Sequence, residues 1–261
     1  MMAYNRLRIH NRGWALRFLL MAVLGMGAAT GAMGQLAGAD WTYYGKRGPE
    51  HWSRLDPAYA ACSKGREQSP VDIRGAKVDP ALKPIEFHYL SGPVTVVNTG
   101  RTVRVDVTPG SYIVAGGVRY ELTEFHFHHP AENAVNGKLA DLSANLLHKS
   151  ADGQTAIVEV RMNEGRTNGV LAALWPSLPR AGATAKIGEA VNPMGLLPAD
   201  RSFYSFPGSL TVPPCTEGVH WFVMQREVEL SGDQLQAIAT LYPDNARRLQ
   251  PTHGRKVAMS Q

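Results

Sequence analysis

The sequence predicts a mainly β (α+β) protein, a mostly antiparallel sheet with small peripheral helices in one domain. Three observations carry that reading: short β-branched runs recur from residue 94 onward, glycine-containing turns separate them, and helical patterns are few. The first runs fall at 94–97, 102–107, 111–115 and 118–123. Thr99-Gly100, Pro109-Gly110 and Gly116-Gly117 lie between them, and glycine supplies the positive φ that tight hairpin turns demand. Residues 124–128, 142–148, 155–162 and 219–228 continue the strand pattern. One helix is expected over 168–174 and another over 233–241, entered through Ser231. The stretch 41–73, rich in Gly, Pro and aromatic residues, reads as loop.

Residues 1–34 read as a signal peptide and 35–261 as the single domain, with no repeat or linker to divide it. Arg6, Arg8, Arg12 and Arg17 precede an apolar run at 18–24, which fades into small residues ending at Ala32-Met33-Gly34. A positive segment, a short apolar segment and a small-residue cleavage site make an export signal. An uncleaved anchor is the other reading, but spanning a bilayer takes about 20 apolar residues. The expected location is periplasmic or secreted, with no membrane attachment after cleavage. Charge excludes a further class. Four of the 27 Lys and Arg residues lie in 1–34, which leaves 23 against 22 Asp and Glu, so no nucleic-acid partner is expected. Cys62 and Cys215 remain. In an oxidising compartment a lone, distant pair reads as one disulfide, with two separate buried thiols as the alternative.

The chemistry concentrates in Glu124-Phe125-His126-Phe127-His128-His129-Pro130. Side chains alternate along a strand, so His126 and His128 leave one face while Phe125 and Phe127 pack into the other. Two imidazoles at i and i+2 can reach one metal ion at about 2.0–2.1 Å. By itself the pair is a weak signal that polar residues on a half-buried strand explain better, and a metal would need a third ligand from a neighbouring strand.

Phe125-His126-Phe127-His128, with Pro130, Glu132, Asn133, Gly137 and His148 after it, resembles the metal-binding strand pair of the exported bacterial α-type carbonic anhydrases. Trp41-Thr42-Tyr43-Tyr44-Gly45 and Gln68-Ser69-Pro70-Val71-Asp72-Ile73 are similar to the family's N-terminal motifs. Ser209-Leu210-Thr211-Val212-Pro213-Pro214-Cys215, with Glu217 and Trp221, resembles its substrate-pocket segment, and Asn245-Ala246-Arg247 its C-terminal end. The resemblance implies the α-carbonic anhydrase fold, a large twisted sheet, with a Cys62–Cys215 disulfide and zinc as cofactor. Carbon dioxide and bicarbonate would be substrate and product. His126 and His128 would be two of three zinc ligands. Thr211 would accept a hydrogen bond from the attacking hydroxide and donate one to Glu132. Leu147, Ile157, Leu210, Val212, Val219 and Trp221 would line the apolar substrate pocket, although composition alone would assign them to core packing.

The chain departs from that pattern at four positions. The third ligand, nineteen residues after His126, falls on Asn145, whose neutral amide oxygen is a poorer zinc donor than imidazole. The acid that would orient it is Ser143. His148 and His129 cannot stand in, since an odd offset along a strand faces the other side. Arg101 occupies the proton-shuttle position, and a guanidinium stays charged near neutral pH. Glu124 replaces a glutamine behind His126, where a carboxylate could still accept a bond and compensate electrostatically. Three readings follow: a zinc-dependent carbonic anhydrase of reduced activity, a catalytically inactive carbonic anhydrase-related binding protein, and a periplasmic zinc-holding protein. Oligomeric state is left open.

Overall fold

The computed structural model describes residues 40–261, so the expected signal segment lies outside the described residues. A 13-stranded mixed sheet dominates. From one edge it runs Thr184–Val191, Gly92–Asn98, Val103–Val107, Val118–His128, Leu142–Ser150, Thr155–Glu164, Glu217–Met224 and Phe203–Ser209, then two short strands, Ala258–Met259 and Lys77–Val78. Most neighbours are antiparallel, as expected. In the interior, though, Thr155–Glu164 and Glu217–Met224 run parallel, with Ile157 opposite Trp221. Parallel neighbours need a long crossover, and the chain between them supplies one that carries the helix Gly169–Leu174.

The expected runs at 118–123 and 124–128 form one strand, Val118–His128, with a register shift between Leu122 and Glu124. Thr123 is the extra residue of a bulge. It lets Leu122 and Phe125 join one core, although an odd offset on a regular strand would separate them. Glu124 and His126 are thereby turned to the opposite face. The expected strand at 219–228 breaks into Glu217–Met224 and Val228–Leu230.

Both expected helices are present and capped. Asn168 Oδ1 accepts from Val170 and Leu171 N–H at 3.0 and 3.2 Å. Ser231 and Gln234 form a reciprocal capping box ahead of Gly232–Leu241. The stretch read as loop holds two short helices, Trp52–Leu55 and Ala61–Lys64.

The sheet separates two apolar clusters. Phe125, Phe127, Leu146 and Val158 belong to the larger, where the two phenyl rings meet edge-on at 5.8 Å. Ile157, Val219, Trp221 and Val223 form the smaller on the other face. Phe125 and Phe127 are completely buried, and each contributes about 2–3 kcal/mol through that burial. They hold the histidine strand in register. Among the described residues no helix is long and apolar enough to cross a membrane.

Candidate metal centre

The alternation expected of residues 125–128 is present. With both phenylalanines anchored in the core, His126 and His128 turn to the other face, their ring centroids 5.0 Å apart. Across the next strand His126 stands opposite Asn145 and His128 opposite Ser143. One strand further, Asn145 faces Glu159 and Ser143 faces Arg161. Two rows of polar side chains therefore cross three buried strands.

Each imidazole is held by its Nδ1. His126 Nδ1 donates to Glu124 Oε1 at 2.8 Å, and His128 Nδ1 to the Asn245 carbonyl at 2.7 Å. That fixes Nδ1 as the protonated nitrogen and leaves each Nε2 as a metal-type lone pair. Burial pushes His128 down to about 3. Burial also disfavours charge on His126, but the Glu124 carboxylate outweighs it and raises the imidazole above its ordinary value. Arg104 joins this arrangement: directly opposite His126, it pairs with Asp106 at 2.7 Å and approaches Glu124 at 3.7 Å.

Glu132 is almost completely buried, and burial raises its carboxyl to about 7. Its Oε2 accepts from Thr211 Oγ1 at 3.0 Å and from Asn145 Nδ2 at 2.7 Å, and His128 Nε2 lies 3.4 Å from the same oxygen. The Thr211–Glu132 bond is the one the family resemblance implies. The Asn145–Glu132 bond is not part of that expectation.

Among the described residues no group of three His, Cys, Asp or Glu side chains could hold a metal ion. Yet His128 Nε2 and Asn145 Oδ1 are buried without a hydrogen-bond partner. An unsatisfied buried polar atom costs about 1–3 kcal/mol, and a cation would satisfy both lone pairs. In donor chemistry the residues fit zinc through two imidazoles and one amide oxygen, a weaker set than three nitrogens. The Ser143 hydroxyl also lacks a partner and makes no hydrogen bond to Asn145.

Beside these groups opens a cavity of about 320 Å³. His126, His128 and Thr211 line it, with Leu147, Ile157, Leu210 and Val212 as an apolar wall. Val219 and Trp221 are not on that lining. They are buried behind it, in the cluster that packs against Leu147 and Leu210. Trp41, Tyr43 and Arg101 also line the cavity. Arg101 is committed to the N-terminal segment: Nε donates to the Trp41 carbonyl at 2.8 Å, Nη2 to Asp40 at 2.6 Å, and its guanidinium carbon lies 4.5 Å from the Trp41 ring centroid. The Cys62–Cys215 disulfide ties the N-terminal helices to the loop that follows Thr211, closing a loop worth about 5 kcal/mol in the chain-entropy picture. His148 lies on the far face, bonded to the Tyr89 hydroxyl at 2.9 Å, and His129 bonds the Pro243 carbonyl at 2.9 Å.

Glu159 and Arg161 were not among the expected site residues. Both alternate with apolar neighbours in a strand, which reads as a solvated face until the other strands cover it. Glu159 is held by the Asn133 amide, and burial raises its carboxyl to about 8. Arg161 pairs with Glu227 at 2.8 Å.

The comparisons with known proteins agree with this geometry. The family model for eukaryotic-type carbonic anhydrase matches residues 47–261. A carbonic anhydrase of Nostoc sp. is 36% identical over 250 residues, spanning 93% of this chain and 95% of that protein. One from Klebsiella pneumoniae is 39% identical over 221 residues, 83% of this chain and 89% of that protein. The solved structure of a hyperthermostable carbonic anhydrase from a hydrothermal vent chimney superposes with a TM-score of 0.83 at 39% identity, covering 85% of this chain and all of that one. A relationship this extensive makes the chain a member of the α-type carbonic anhydrase family.

Proposed function

We propose that the chain is a zinc-dependent carbonic anhydrase of reduced activity, catalysing the reversible hydration of carbon dioxide to bicarbonate and a proton. The observation that supports it best is the 3.0 Å bond from Thr211 to Glu132, set beside His126 and His128, each bonded through Nδ1, in a partly apolar cavity. His126, His128 and Asn145 would hold the zinc. Zinc supplies Lewis acidity that makes water a nucleophile near neutral pH.

The chain's own residues do the rest. Thr211 has one hydroxyl proton and donates it to Glu132, so it presents only lone pairs to the cavity. It therefore accepts from the attacking oxygen and directs that oxygen's free lone pair at the substrate carbon. Leu147, Ile157, Leu210 and Val212 hold uncharged carbon dioxide by apolar contact. The Thr211 amide stabilises the developing bicarbonate oxygen. The released proton leaves through buffer, since the Arg101 guanidinium cannot cycle one. Export to the periplasm or outside the cell, by cleavage after residue 34, completes the reading.

Asn145 and Ser143 favour a second reading, a member that has lost turnover and binds a partner or small anion. A Thr211→Ala variant separates the two. It keeps all three metal donors, so under our reading zinc still binds while hydration drops by roughly 10²-fold or more, as loss of one positioned hydrogen-bonding group does elsewhere. Equal rates in the variant and the native chain would reject catalysis at this site.

A further inference from the structure

The residue at the third metal-donor position spends its amide N–H on a neighbour. Asn145 Nδ2 and Thr211 Oγ1 converge on one oxygen of Glu132, at 2.7 and 3.0 Å. All three side chains are buried, and Glu132 Oε1 has no hydrogen-bond partner among the described residues. Oε2 with its two donors is therefore the anchored end of this carboxylate. A carboxylate oxygen accepts, so the amide must turn its nitrogen to Glu132 and its oxygen away. Both lone pairs of Oε2 are then occupied.

We propose that Asn145 is a positioning residue for Glu132 and, through it, for Thr211. The amide that stands where an imidazole is expected holds the carboxylate in place, and the carboxylate holds the Thr211 hydroxyl proton. This deepens the hydration reading and rests on it for what Thr211 does. The two ends of Asn145 have separate tasks: the nitrogen anchors Glu132 and the oxygen is left for a cation. An imidazole at 145 would be a better metal donor and would remove the anchor. Asn145→His therefore gains more in zinc affinity than in hydration rate.

The test is made on the whole folded chain freed of metal with a chelator, with threonine methyl groups labelled with ¹³C. NMR couplings then report the side-chain rotamer of Thr211. A single dominant rotamer is expected in the native chain. In Asn145→Leu the ratio of that rotamer to the others falls at least threefold, while Leu147→Ala, on the cavity wall, leaves it unchanged. If Asn145→Leu does not fold, Asn145→Ser carries the test, because its shorter side chain cannot reach Glu132. A Thr211 rotamer that stays fixed in the Asn145 variants overturns the proposal. No metal is present and no turnover is read, so failure of the hydration reading would show in the rate assay and failure of this proposal here.

Discussion

Glu159 lies directly across the sheet from Asn145, and both side chains are fully buried. A carboxyl in that place has a measurable consequence. Burial pushes it to about 8 from an ordinary 4.5, although the Asn133 hydrogen bonds oppose the rise. The unfolded chain loses this proton near 4.5 and the folded chain keeps it until about 8. Between those values the folded state binds more protons, so this group's share of stability falls as pH rises. Glu159→Gln removes that slope, at most about 1.4 kcal/mol per pH unit. Urea unfolding of native and variant chains at several pH values across the window checks it. His128, depressed to about 3, contributes an opposite slope below 6.5, and the comparison with the variant cancels it.

Zinc affinity should rise in Asn145→His by roughly tenfold or more, the scale on which even outer partners of a metal ligand act. Competition against a chromophoric chelator measures it. An unchanged affinity would mean that position 145 does not face the ion.

Glu124→Gln keeps an acceptor for His126 Nδ1 and removes the negative charge behind the ring. Zinc affinity should fall by roughly tenfold, and the His126 imidazole should titrate lower. Histidine NMR of the metal-free chain reads the second effect separately from the first. An affinity equal to that of the native chain would make the carboxylate a neutral replacement.

Hydration by the native chain should speed up with buffer concentration, since Arg101 is held by Asp40 and Trp41 and a guanidinium does not serve as a proton relay. Arg101→His should weaken that dependence. A native rate that ignores buffer would point to another proton route or to a limiting chemical step.

Much of the frame was legible in the sequence, for local reasons. Phe125, His126, Phe127 and His128 announce their faces by alternation alone, and Gly116 and Gly117, both at positive φ, mark the hairpin before them. Ser231 caps where expected, and Asn168, read as the first residue of its helix, proves to be the cap, because capping is a local exchange of hydrogen bonds. The strand Phe203–Ser209 was missed, since Pro207 and Gly208 interrupt its pattern. Thr184–Val191 escaped because it is a largely exposed edge strand with Gly188 inside. The bulge at Thr123 and the parallel pairing of Ile157 with Trp221 depend on distant strands, which no local pattern encodes.

At the site, the position of Asn145 opposite His126 follows from counting along a gapless match. Its bond to Glu132 does not, because Glu132 lies outside the strands, in the connection between Val118–His128 and Ala134–Val135, where no alternation fixes its direction. Glu159 was hidden for a related reason: an acid alternating with valines signals a wet face, and only the assembled strands show that this face is closed.

The most direct test of the central claim is stopped-flow carbon dioxide hydration by the native chain, stripped of metal and titrated with zinc. The rate should climb with zinc, saturate near one ion per chain, and stay below that of Asn145→His at saturation. A chain that binds no zinc, or that binds it and hydrates no faster than buffer alone, would contradict the claim.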